Sequence, residues 1–285
     1  MSLRIAIPTD FSSNALLAAR YTLQLFREEA AVFFLVHTYT PSVYRSEYLL
    51  HSPGQIGLGD FYRERAMRKL KKFRKSLEEV SGPRHQFILH AAFNVLDAEL
   101  NEMIAKEALD LIAMGTQGAT GAKEILFGSH AVQVLHRAAC PVLVIPSEAG
   151  ADELQDVLFP TDYAPDYNRL QLGVLETLLT ASDRKLHLLH VHDHYEDEKA
   201  QLRARDSLLN RLEGLAPELT EVPEQGIIEA INGFAERQPV QMLVMVRNRH
   251  SFLERLLVTP VIDRIGFHAR VPFMVIPPVQ EPVTT

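Results

Sequence analysis

Short apolar runs separated by amphipathic stretches set the rhythm of this chain. In its first half the runs from Arg4 to Pro8, Val32 to Thr38, Gln86 to His90, Asp110 to Met114 and Val142 to Ile145 have the length of buried strands. Between them, Leu16, Ala19, Leu23 and Phe26 keep the three-four-three spacing of one helical stripe, and Ala66, Leu70, Phe73, Leu77 and Val80 keep a similar one. Strands alternating with helices of this length predict an α/β fold with a parallel sheet covered on both faces. The basic residues between Arg63 and Lys75 fall off the second stripe, so they read as a solvated outer face.

The pattern then repeats. Ile7 to Ser12 (IPTDFS) returns as Phe159 to Ala164 (FPTDYA), Phe34 to His37 (FLVH) as His187 to His190 (HLLH), and Asp110 to Met114 as Gln241 to Met245. Cys140 to Pro146 (CPVLVIP) returns as Val271 to Pro277 (VPFMVIP). Such ordered echoes predict two tandem copies of one fold, domains 1–147 and 153–280, with the polar segment Ser147 to Asp152 as the join. The strands of the second copy are expected at Val157 to Pro160, Lys185 to Val191, Glu218 to Val222, Met242 to Val246 and Phe273 to Ile276. The first copy is longer, mainly through Tyr39 to Leu58, and a loop of that length suggests either a lid over a site or an insertion without one.

Composition narrows the function classes. Acids outnumber Lys plus Arg by 36 to 29 with no basic stripe, so a nucleic-acid partner has little electrostatic support. No apolar run approaches the roughly 20 residues of a membrane helix. The chain enters a strand at once without a basic leader, which predicts a cytoplasmic protein away from membranes. The single Cys140 excludes an intramolecular disulfide and reads as a small buried hydrophobe.

The candidate chemistry lies after the fourth strand. Gly115 and Gly118 follow it, and Gly128 and Ser129 open a helix expected over Ser129 to Ala138. Glycines let backbone turn and approach a ligand closely, and the first amides of a helix lack internal partners and carry the positive end of its dipole. A phosphate chain suits such amides. The first strand should deliver Pro8, Thr9 and Asp10 to the same end of the sheet. Each piece alone is common as a turn or a cap; the combination after one strand is far more specific.

These residues carry a resemblance. G-x-x-G, nine residues and G-S, with PTD at Pro8 to Asp10 and LVHT at Leu35 to Thr38, resembles the universal stress protein family in its ATP-binding branch. The resemblance implies two Rossmann-like (adenine nucleotide alpha hydrolase-like) domains, each a five-stranded parallel sheet of order 3-2-1-4-5 between helices. It further implies a pseudo-dimer joined through Val142 to Ile145 and Phe273 to Ile276, with a homodimer of the whole chain as a further option and the downstream protein partner open. Carried over, Asp10 lies beside adenine and ribose with Pro8 and Thr9, and the Thr38 backbone meets adenine. Met114, Gly115 and Gly118 flank ribose and phosphates, and Gly128, Ser129, His130 and Ala131 hold the phosphates. The implied cofactor is ATP, with or without Mg²⁺, in the first domain only.

In the second copy Val246 and Arg249 stand where the first has Gly115 and Gly118, and Thr259 and Pro260 replace Gly128 and Ser129. Pro260 removes a donor at the helix start, so that site is expected to be empty or occluded. Arg247, Arg249 and Arg255 could hold an anion there or fill a former cavity. His190, His192 and His194 alternate and could converge on a metal, although His190 matches His37, which looks structural; no metal site is assigned. No nucleophile with a base appears at recognisable spacing, and the SGGxDS, HIGH and KMSKS motifs of ATP-activating enzymes are absent, so no catalytic residue is assigned. The expected function is nucleotide sensing in a stress response. The competing expectation is a nucleotide-independent scaffold, or a binder of another ligand, with vestigial sites.

Overall fold

The computed structural model describes residues 2–39, 56–116, 128–150, 153–161, 163, 170–180, 184–191, 198–223, 226–247 and 271–278. In the first copy β1 (Leu3–Pro8), α1 (Ser13–Leu25), β2 (Ala31–Thr38), α2 (Ile56–Lys75) and β3 (His85–Ala92) are followed by α3 (Leu96–Glu107), β4 (Leu111–Gly115), α4 (Ser129–Arg137) and β5 (Val142–Ile145). The second copy gives β6 (Asp156–Thr161), α5 (Gly173–Thr180), β7 (Lys185–Val191), α6 (Glu198–Arg211), β8 (Glu218–Val222), α7 (Ile227–Arg237), β9 (Met242–Val246) and β10 (Phe273–Ile276). Of the long segment expected as a loop, Ile56 to Leu58 belong to α2 and 40–55 lie outside the described residues.

All ten strands form one sheet, in the order β3-β2-β1-β4-β5-β10-β9-β6-β7-β8. Each copy is parallel within itself and has the order 3-2-1-4-5. The copies meet where β5 runs antiparallel to β10, with Val144 opposite Phe273 and Val142 opposite Val275. Successive side chains of a strand point to opposite faces. Thus Ile5, Ile7, Phe33 and Leu35 pack with α1 and α2, whereas Ala6, Phe34 and Val36 pack with α3 and α4. At the junction Leu143 and Met274 join the first of these cores and Val144 and Phe273 the second, so both run unbroken from one copy into the other.

The helical stripes follow the same logic. Ala19, Leu23 and Phe26 are buried, as are Ala66, Leu70, Phe73 and Leu77, while Arg63, Lys71, Lys72, Arg74 and Lys75 point to solvent. Among the described residues no helix is long and apolar enough to cross a membrane. Cys140 is 1% exposed, and burial pushes its thiol up to about 12, which leaves no thiolate at neutral pH.

A cleft at the carboxyl ends of the first copy's strands

Beyond β1 the chain makes a tight turn fixed by its own side chains. Thr9 extends the pairing with β2 through its N–H to the Val36 carbonyl (2.8 Å), and its hydroxyl accepts the Phe11 N–H (2.9 Å). Asp10 Oδ1 accepts the Ser12 N–H at 2.9 Å, and Ser12 in turn caps α1 by accepting from Ala15 N–H at 3.2 Å. Phe11 sits at φ 69°, a left-handed conformation uncommon for a residue with a side chain. Its ring rests against His37, 4.5 Å between centroids.

His37 Nδ1 lies 2.7 Å from the Thr9 carbonyl, so that nitrogen carries the proton and Nε2 is left as an acceptor. Burial lowers the His37 pKa from its ordinary value, against the opposing pull of the Thr9 carbonyl. The imidazole is therefore neutral at pH 7.

The second copy repeats this turn. Thr161 accepts from Tyr163 N–H at 3.1 Å, Tyr163 has φ 53°, its ring lies 4.2 Å from that of His190, and His190 Nδ1 is 3.0 Å from the Thr161 carbonyl. Much of the P-T-D echo is thus a shared turn and cannot by itself distinguish a ligand-binding copy. His190 is buried in this structural role, while His192 and His194 lie outside the described residues.

The last residue of β4 is Gly115. The sequence suggested a sharp turn or a close ligand there, but no described glycine has a positive φ. A Cβ at Gly115 would instead sit 3.3 Å from the Asn14 carbonyl oxygen and 3.5 Å from its carbon. The first turn of α1 comes so close to β4 that only a hydrogen fits comfortably. Gly118 lies outside the described residues.

From there the backbone leads to α4. Thr116 N–H bonds the Ile145 carbonyl (3.1 Å), and Gly128 N–H returns to the Thr116 carbonyl (2.7 Å), which ties the helix start to the strand end. Gly128 is the N-cap, in extended conformation, and offers no side chain to the helix. The first internal bond runs from Val132 N–H to Gly128 O, so the amides of Ser129, His130 and Ala131 precede the ladder. The contrast with the Ser12-capped α1 is direct: α4 presents its positive end uncapped by its own side chain.

Pro8 of β1 with Thr9 and Asp10 of the turn beyond it, Thr38 of β2, Met114 and Gly115 of β4, and the N-cap Gly128 with Ser129, His130 and Ala131 of α4 line one cleft of about 280 Å³. It opens where the strand order reverses between β1 and β4, the usual ligand position in open parallel sheets. Ala15, Val36, His37, Leu96 and Thr116 line it as well and were not anticipated as site residues. For Thr116 a signal existed, since it follows Gly115 in the glycine segment. Leu96 comes from the start of α3, which no motif marked.

In the second copy, Val246 takes the place of Gly115 and is buried. Arg249, Arg255, Thr259 and Pro260 lie outside the described residues. The Arg247 guanidinium, expected to hold an anion or fill a cavity in its own copy, instead donates from Nη1 to the Leu135 carbonyl of α4 at 3.0 Å.

Comparison with known proteins places this geometry. The family model described as "Universal stress protein family" matches twice, over residues 1–146 and 153–277. The chain belongs to that family. A universal stress protein of Methanocaldococcus jannaschii is 34% identical over 143 residues, covering 50% of this chain and 81% of the relative. Among solved structures, a universal stress protein from Archaeoglobus fulgidus DSM 4304 superposes with TM-score 0.62 over 95% of both chains at 21% identity. A functionally unknown protein from Pseudomonas aeruginosa PAO1 gives TM-score 0.55 over 97% of this chain and 92% of its own, at 15% identity. At these identities the structural likenesses establish the Rossmann-like tandem fold alone.

Proposed function

We propose that the first copy of this universal stress protein binds one adenine nucleotide, ATP with or without Mg²⁺, and that the protein works by binding it as a nucleotide sensor in a stress response. The observation that carries this reading is the convergence, in a single cleft, of the β1 turn, the end of β2 and the three leading amides of α4. Aligned amides at a helix N-terminus suit an anion without adding a fixed positive side chain. The Thr38 and Asp10 edge of the cleft offers backbone and carboxylate acceptors to the exocyclic amine and hydroxyls of a nucleoside. Bound ATP would supply the polyphosphate charge that these amides solvate. No nucleophile and base pair is assigned, so hydrolysis is expected to be slow.

Calorimetric titration with Mg-ATP tests this. The wild type is expected to bind one ATP per chain and Gly128→Val none. At φ −64° and ψ 151° valine is conformationally tolerated at 128, so the loss would come from its side chain at the helix mouth. Absence of wild-type binding would overturn the proposal in favour of the nucleotide-independent scaffold. Two ATP per chain would overturn the expectation of an empty second site.

A further inference from the structure

The helix whose N-terminus faces the cleft has its other end held by the opposite copy. α4 is a nine-residue helix, and its last carbonyls have no acceptor role within the ladder. Arg247, the residue after β9, donates to Leu135 O of α4 at 3.0 Å, and Gln171, just before α5, donates from Nε2 to the carbonyl of Ala139, two residues past the helix, at 2.8 Å. Within the first copy, Asn101 of α3 donates to Arg137 O at 3.1 Å and accepts from Ala139 N–H at 3.0 Å. Two of these three side chains therefore belong to the copy whose glycine motif is degenerate.

Arg247 is the counterpart of Thr116. Both donate their main-chain N–H to the carbonyl at the end of the neighbouring last strand, Thr116 to Ile145 O at 3.1 Å and Arg247 to Ile276 O at 2.9 Å. The backbone is the same and the side chain differs. Thr116 lines its own cleft, whereas the arginine crosses the β5–β10 junction. A fixed cation at a helix C-terminus meets the negative end of the macrodipole, and its effect is largest when partly shielded from water, as this half-buried guanidinium is.

We propose that Arg247, seconded by Gln171, is a positioning residue for phosphate binding in the first copy's cleft. The proposal rests on the nucleotide reading of that cleft. By clamping Leu135 in the last turns of α4, Arg247 fixes the direction of Ser129, His130 and Ala131 N–H, about 6–9 Å away along the helix axis. Without the clamp, α4 must be ordered when the phosphates bind. The second copy then contributes to ligand binding through the helix and without touching the ligand.

The test titrates the full chain with Mg-ATP and, separately, with adenosine, which lacks phosphates. Arg247→Met is expected to weaken ATP about five-fold while leaving adenosine affinity unchanged, and Arg247→Lys to keep ATP within about two-fold of wild type. Unchanged ATP affinity in Arg247→Met overturns the proposal, and so does a parallel loss of ATP and adenosine, which marks general distortion. If Arg247→Met does not fold by circular dichroism, Gln171→Leu decides by the same selective loss or its absence. Wild type that binds neither ligand refutes the nucleotide reading together with this proposal. Wild type that binds ATP beside an unaffected variant refutes the proposal alone.

Discussion

Replacing Gly115 separates two reasons for a glycine at the cleft. Its Cβ would meet the Asn14 carbonyl oxygen at 3.3 Å, so Ala requires the first turn of α1 to give by a few tenths of an ångström. Against that cost stands the backbone entropy that Gly loses in a strand, about 0.5–1 kcal/mol relative to Ala. The two nearly cancel, and Gly115→Ala is expected to change stability by less than about 1 kcal/mol, a melting shift of no more than about 2–4 °C. Gly115→Val adds two methyl groups against the same carbonyl and should cost about 1–3 kcal/mol, as overpacking does. Because the added atom points at α1, Mg-ATP affinity should survive in the Ala variant within about three-fold, a difference of less than 1 kcal/mol. Urea unfolding and calorimetric titration of both variants give the readout. A Gly115→Ala protein that keeps its stability but loses ATP more than ten-fold would refute the packing explanation. So would a Val variant as stable as wild type.

Two further outcomes concern the scaffold. His85 accepts the Gly82 N–H on Nδ1 (2.9 Å) and places Nε2 2.9 Å from the Phe26 carbonyl, and burial lowers its pKa below the ordinary 6.5. The unfolded chain takes up this proton more readily than the folded one, so the stabilisation is present above about pH 6.5 and lost as pH falls through the folded value. The stability difference between wild type and His85→Asn in urea should accordingly shrink from pH 7.5 to 5.5, and a difference that grows would contradict it. Phe33 is fully buried in β2, paired with Ile5 of β1 and Phe87 of β3, its ring 4.8 Å from that of His85, so Phe33→Ala should cost about 3–5 kcal/mol in equilibrium unfolding, and a cost below about 1 kcal/mol would show that the core can collapse around the gap.

The pattern along the chain located β5, β7, β8, β9 and β10 at both ends, and in β5, β9 and β10 every residue of the strand is apolar. For β3 it fell short. The strand runs to Ala92 since Ala91 and Ala92 pair with His37 and Thr38 through backbone, which leaves no hydrophobic trace. In the cleft, the motif residues stood out because glycine and Gly-Ser are chemically distinctive. His37 looked merely structural, and its hydrogen bond to Thr9 is indeed structural, yet it also lines the cleft. The cause of Gly115 was hidden for a different reason: the distance between α1 and β4 is a property of packing. Arg247 was read within its own copy, since nothing in linear order shows that the residue after β9 reaches α4 across the junction.

The antiparallel union of β5 with β10 has a consequence for how such a molecule can change. Two identical chains joined by the same strand would form an isologous pair, in which every substitution occurs twice and residue and counterpart stay alike. Fusion into one polypeptide removes that constraint. A change at Thr116 need no longer be matched at Arg247, so one half can specialise as receptor and the other as its support, in a fixed one-to-one ratio independent of concentration.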